Sequence, residues 1–158
     1  MPIYMQYDKI KGDVTEDGHK DWVEVNSFQW GVGRGISTPT GAAQNRESSA
    51  PSVSEVTITK PLDKATIPLL TEFYHGHGKE VKFDFCTTDK GKMRVYMSYT
   101  LTDVMLSGYS TSSGGDRPSE SLSLNFTKVM TKVITHNPTG GVAESPSITY
   151  DVSKAKTV

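Results

Sequence analysis

Alternation of apolar and polar side chains with a period of two recurs along this chain, in short runs separated by Gly, Pro, Asn and Asp clusters. That pattern predicts an all-β barrel or sandwich. Ile3 to Tyr7 reads as the first strand, followed by a charged connection, Asp8 to Asp21, whose Lys11-Gly12-Asp13 and Asp17-Gly18 are turn signals. The second strand runs from Trp22 to about Val32. There Trp22, Phe28 and Trp30 share one parity and Val23 and Val25 the other, which predicts apolar groups on both faces and a partner over one of them. Ile36 to Ser52 is Ser, Thr, Gly, Ala, Pro, Asn and Gln around one Arg46-Glu47 pair. Too polar to order itself by burial, it predicts a long loop. Val53 to Thr59 is the third strand, with Val56 and Ile58 on the buried parity and Pro61 ending it.

One helix is expected, from Thr66 to about His75. Thr66 is placed to cap it, Pro68 falls in the first turn, and Leu69, Leu70, Phe73 and Tyr74 form the apolar stripe. Gly76 and Gly78 end it. Glu80 to Thr87 and Lys92 to Tyr109 then read as a hairpin joined through Thr88-Asp89-Lys90-Gly91. Parity changes near Val104-Met105-Leu106, so the long second strand should bulge or turn a corner there, with Gly108 serving the bend. A loop from Ser110 to Pro118 leads to Glu120–Ile134, a long strand or bent pair. A polar tract from Thr135 to Pro146 precedes a last strand, Ser147 to Val152, with Ile148, Tyr150 and Val152 on one side.

Length and charge narrow the class. The 158 residues suit one domain, 1–158, and no internal repeat or linker divides them. A formal charge of −1 supplies no field that would draw the chain onto nucleic acid or anionic lipid. The expectation is therefore no nucleic-acid partner and no membrane insertion of its own. Cys86 is the single cysteine, and the N-terminus lacks the basic-then-apolar order of a secretory signal, so folding in a reducing cytoplasm is expected.

Candidate chemistry is sparse. His75-Gly76-His77 offers two imidazoles with no Cys or carboxylate companion nearby. His19 and His136 lie in distant turn-rich stretches. Gly31-Val32-Gly33-Arg34-Gly35 is glycine-rich but leads into more loop, where a phosphate cradle needs a helix N-terminus. Cys86 has no evident base, and Asp84, Asp89 and Asp103 read as separate carboxylates that solubilise an outer face or block edge pairing. The reading is a non-enzyme without metal or cofactor, whose two-sided strands suit self-assembly. A monomeric β-barrel binding carbohydrate through Trp22, Trp30 and tyrosines is the alternative, and it requires solvent-facing aromatics. A small hydrolase using His75 or His77 is a third.

An ordered set of segments carries a resemblance: Tyr4-Met5-Gln6-Tyr7, Ser27-Phe28-Gln29-Trp30-Gly31, Lys60-Pro61-Leu62-Asp63-Lys64-Ala65-Thr66 and Tyr150-Asp151-Val152. The most specific stretch runs from Gly114-Gly115-Asp116-Arg117-Pro118 through Glu120 to Leu124-Asn125-Phe126-Thr127-Lys128. Over essentially its whole length the chain resembles the haemolysin-coregulated protein (Hcp) family, tube subunits of the bacterial type VI secretion system. The resemblance implies a mainly β fold: a small β-barrel with one flanking α-helix and a long extended loop, similar to phage tail-tube proteins. It also implies a homo-hexameric ring with a central channel. Stacked rings would form an inner tube inside a contractile sheath, beneath a spike, with small effector proteins carried in the lumen. The subunit would reside in the bacterial cytoplasm and then be secreted without a signal peptide. Some relatives carry a fused toxin domain; none is expected here, since the sequence ends at Val158.

Carried over residue by residue, Gln29 matches the channel-facing position between the two aromatics, where many relatives have Ser. The loop Ile36 to Ser52 matches the one that reaches an adjacent ring, making Gly41, Asn45, Arg46 and Glu47 stacking candidates. Asp116, Arg117 and Glu120 are expected as an ion-pair or turn-capping cluster at a subunit edge.

Overall fold

The computed structural model describes residues 1–41 and 46–158. Its strands, in chain order, are β1 (Ile3–Tyr7), β2 (Val23–Val25), β3 (Ser27–Gln29), β4 (Val32–Gly33), β5 (Ile36–Ser37), β6 (Glu47–Ser48), β7 (Ser52–Val53) and β8 (Val56–Pro61). After helix α1 (Thr66–His75) come β9 (Lys79–Asp89), β10 (Lys92–Ser112), β11 (Ser119–Asn125), β12 (Lys128–Val133), β13 (Thr135–His136), β14 (Val142–Glu144), β15 (Ser147–Asp151) and β16 (Lys156–Thr157). The expected single helix and mainly β chain are both present.

The antiparallel pairings return to their start. β9 pairs β1, and β1 pairs β2. The chain runs from β2 through Asn26 into β3, which pairs β8; β8 pairs β11, and β11 pairs the second half of β10. The first half of β10 pairs β9 and closes the circuit. One long strand serves two walls because it bends: its register shifts between Leu101 and Val104 and again between Leu106 and Gly108, near the expected corner. Asp103 sits there at φ 57°, in the left-handed region that Asp tolerates better than most residues. A wing extends beyond the circuit, where β12 pairs the other edge of β10 and carries β15 and β16.

The interior is filled from every wall by Met5, Tyr7, Val23, Val25, Val56, Ile58, Val81, Phe83, Leu101, Val104, Leu122 and Leu124, all buried. Phe28 packs on it, its ring 4.9 Å from those of Phe83 and Tyr99. The sequence pattern had placed Phe28 and Trp30 on the opposite face from Val23 and Val25. The structure corrects this. Asn26 and Ser27 are both exposed where the strand changes partner, so the parity flips and Phe28 and Trp30 join Val23 and Val25 against one core. Only Trp22 stays outside, its ring edge-on to His19.

The long polar segment is corrected too. Its described part is a narrow hairpin arm, with β4 paired to β7 and β5 to β6. Backbone bonds from Ser54 to Gly31 and from Ser49 to Gly35 join the sides between these ladders. The arm continues the β3–β8 ladder outward. From the Gln29–Thr57 pair to Val32–Val53, and again from Gly33–Ser52 to Ile36–Ser48, the outgoing side advances three residues and the return side four. Each extra residue bends and twists the ribbon. Backbone pairing orders the arm without burial, leaving Val32 57% and Ile36 55% exposed.

α1 ends as expected, at Gly76 in the left-handed conformation with φ 69°. Its start differs: the cap position is Ala65, whose N–H donates to the Asp63 carboxylate. Thr66 is the first helical residue, and its hydroxyl turns inward. The stripe is half realised, with Leu69 buried and Tyr74 78% exposed.

Candidate functional site

Gln29 lies on the outward face of the wall formed by β3, β8, β11 and the second half of β10. Because strand side chains alternate, the residues between the half-buried Phe28 and the buried Val56, Ile58, Leu122 and Leu124 all point the other way. One row pairs Gln29 with Thr57, Thr57 with Ser123 and Ser123 with Gly108; the next runs Ser27, Thr59, Ser121, Ser110. Every side chain in these two rows is an uncharged hydrogen-bonding group or glycine. Ser27 and Thr59 hydroxyls meet at 2.6 Å. Lys60 points inward, and Glu55 stands at the margin, accepting a hydrogen bond from the Ser107 hydroxyl.

The wall of β1, β9, β10 and β12 has a different outward face. Its rows run Gln6, Lys82, Thr100, Met130 and Tyr4, Asp84, Ser98, Lys132. Charged side chains are interspersed in both rows, and the Tyr4–Asp84 end is covered by His19. The neutrality of the Gln29 wall is therefore a property of that wall and not of the molecule.

The edge cluster is rearranged from expectation. Glu120 is 1% exposed and makes no bond to Asp116 or Arg117. It faces Lys60 across the β8–β11 ladder. Its carboxylate accepts from Lys60 Nζ at 2.6 Å, from the Thr66 hydroxyl at 2.8 Å and from the Tyr109 hydroxyl. Lys60 also reaches Asp63 at 2.9 Å and the Pro61 carbonyl at 3.0 Å. Burial by itself pushes the Glu120 carboxyl up, but the bonds from Lys60, Tyr109 and Thr66 outweigh it and hold it below its ordinary value. Burial, then the bond to Glu120, raises the Tyr109 phenol. Arg117 is exposed, its guanidinium donating twice to the Leu62 carbonyl at 2.6 and 2.8 Å. Asp116 is exposed in the turn before β11, where its carbonyl accepts from the Ser113 hydroxyl.

Sequence reasoning missed Lys60, Thr66 and Tyr109 as partners of Glu120. A signal was present: Lys60 shares the parity of Val56 and Ile58, and Glu120 that of Leu122 and Leu124, so two opposite charges stand on buried parities of adjacent strands.

Among the stacking candidates, Gly41 is exposed near the arm tip at φ 76°, Arg46 is exposed, and Glu47 pairs Ser37 in the ladder. Asn45 lies outside the described residues. The rings of His75 and His77 are 5.9 Å apart, and among the described residues no third His, Cys, Asp or Glu joins them in a metal-binding group. Gly31–Gly35 is part of the arm. Trp30 is half-buried edge-on to Tyr99, so it is not the solvent-facing aromatic that the carbohydrate reading expects of it. Asp84 is not a free solubilising carboxylate; it is bonded to His19 at 2.8 Å.

These features are those of a mainly β protein with one neutral and one charged outward wall. A solved structure described as a type six secretion system protein superposes with a TM-score of 0.89 at 26% identity, covering 99% of each chain. Hcp1 from Salmonella typhimurium matches with a TM-score of 0.75 at 22% identity, over 99% of this chain and 98% of that one. A type VI secretion system effector from Yersinia pestis gives 0.74 at 24%, over 95% and 99%. No curated protein sequence matches. The family model described as "Type VI secretion system effector, Hcp" matches residues 4–133. The chain belongs to the Hcp family, the tube proteins of type VI secretion.

Proposed function

We propose that this protein is the ring-forming subunit of a type VI inner tube: six copies around a channel, rings stacked through the β4–β7 arms, and small effectors held weakly inside until the tube is ejected from the cell. The observation that carries this reading is the neutral wall around Gln29. A channel that holds different folded cargoes and then releases them needs many weak contacts and no fixed charge, because a desolvated charge binds its complement strongly and repels its like. Rows of hydroxyls with one carboxamide supply donors and acceptors of that kind. The arm, with its ladder edges and Val32 and Ile36 bare, supports a contact between rings through Gly41, Arg46 and Glu47, with Asn45 as a further candidate. Asp116 and Arg117 form the subunit edge, and sheath and spike are the outer partners. The role is mechanical, with no catalytic step.

Light scattering on a sizing column with negative-stain imaging tests the ring, which is expected at about six times the 17.3 kDa chain with a hollow centre. A monomer at micromolar concentration would sink the reading. Gln29→Arg should leave the ring intact and lower retention of co-expressed type VI effectors. Unchanged retention of every effector tested would remove Gln29 from the channel wall.

A further inference from the structure

His19 is 6% exposed, and the proposed function does not use it. It belongs to the short 3-10 turn Asp17–His19, which the Asp8–Trp22 connection lays across the outward face of β1 and β9. Both ring nitrogens face carboxylates: Nδ1 lies 2.5 Å from Glu16 Oε2, and Nε2 lies 2.8 Å from Asp84 Oδ2 on β9. The Tyr4 ring of β1 packs 4.9 Å away, and Trp22 stands edge-on at 4.7 Å. Cys86 of β9 completes the surround, with Sγ 4.0 Å from Nε2.

A neutral imidazole has one donor and one acceptor nitrogen, whereas the imidazolium has two donors. Two ionised carboxylates, one on each nitrogen, are both satisfied only by the imidazolium. We propose that His19 is a proton-dependent clamp: its imidazolium holds the Asp8–Trp22 connection on β9, and loss of one ring proton releases the connection. The charged and titratable groups facing it are Glu16 on its own turn, Tyr4 on β1, and Asp84 and Cys86 on β9. Ser98 separates Asp84 from Lys132 along the row. The hydrogen bond from His19 holds the Glu16 carboxyl below its ordinary value against the opposing effect of burial.

The signs follow from these partners. The imidazolium bonds stabilise the closed connection while the ring keeps both protons, and one of them is lost when a ring proton leaves. The Glu16 contribution is present above the ordinary glutamate range and is lost as pH falls through its lowered folded value. The clamp is closed while Glu16 is ionised and the His19 ring carries both protons. Its release has a consequence nearby, because Asp13 and Val14 of the same connection line a cleft of about 330 Å³ with Leu62, Asp63 and Arg117. Opening the clamp loosens one wall of the cleft beside Arg117. The clamp lies within one chain and stands independently of ring assembly.

The test is ring-nitrogen NMR of histidine-labelled protein from about pH 5 to 9, with amide hydrogen exchange measured on the same samples and β10 as internal reference. Replacement His19→Gln assigns the resonance. Both ring nitrogens should carry protons at the acidic end, and opening of residues 8–22 should rise about tenfold or more as one is lost, the effect of breaking a charged hydrogen bond. Asp84→Asn should flatten that rise. Opening that ignores the state of the His19 ring, or a ring with one proton throughout, would overturn the proposal.

Discussion

Lys60 and Glu120 face each other because the register of β8 on β11 makes them direct neighbours on the core side of the wall. A buried pair is a poor source of net stability but a severe liability when split, since the survivor is an uncompensated buried charge. Glu120→Ala should therefore destabilise the fold by about 3–5 kcal/mol in denaturant unfolding, whereas Lys60→Met with Glu120→Leu should recover only part of that loss, because the buried Asp63 carboxylate then lacks its cation. Glu120 is held below its ordinary value, so its contribution is complete above the glutamate range and drains as pH falls through its folded value. Glu120→Gln should flatten the acid limb of the stability curve. Cys86 behaves in the opposite sense. Burial, then the charges of Asp84 and Glu16, push its thiol up to about 12, so the nucleophilic thiolate is scarce and enclosed. A maleimide reagent at about pH 8 should label the unfolded chain at least 100-fold faster than the native one, followed by mass spectrometry.

The elements show where sequence patterns suffice and where they fail. The β9–β10 hairpin was legible: Lys90 and Gly91 take the two positive φ angles, 50° and 76°, that a two-residue turn of matching twist requires. The helix was legible from its stripe and its terminal glycine, but not its cap, because Thr66 is drawn to Glu120 from a strand 54 residues away in sequence. The arm was misread as loop because burial was the only ordering force considered, and backbone pairing orders it instead. Joining Gly33 to Ser52 through an Asn-Gly turn removes no buried side chain among the described residues. Calorimetry should then give a Tm within about 3 °C of the parent, while sedimentation shows single rings that no longer stack. A large loss of Tm would mean that the arm supports the core of its own chain.

At the scale of the whole molecule, the two outward faces differ in charge because they come from different strand sets, and only the pairing circuit assembles each set into a surface. If the neutral wall lines the channel, effector retention should change less than about twofold between roughly 0.1 and 0.5 M salt, since no ion pair is screened there. Gln29→Arg should introduce salt dependence. Pull-down of one effector across that salt range checks both outcomes, and strong salt dependence in the parent would place the cargo on the charged face. The sequence determined the local terms by itself: the helix and the strands with a buried face, the hairpin turn, the corner in β10, and the Hcp resemblance, all of which rest on neighbours in the chain. Tertiary structure decided the rest. The parity flip at Asn26, the burial of Glu120 on Lys60, and the meeting of His19 with Asp84 each depend on which strands lie side by side, and no spacing along one strand encodes the identity of its neighbour.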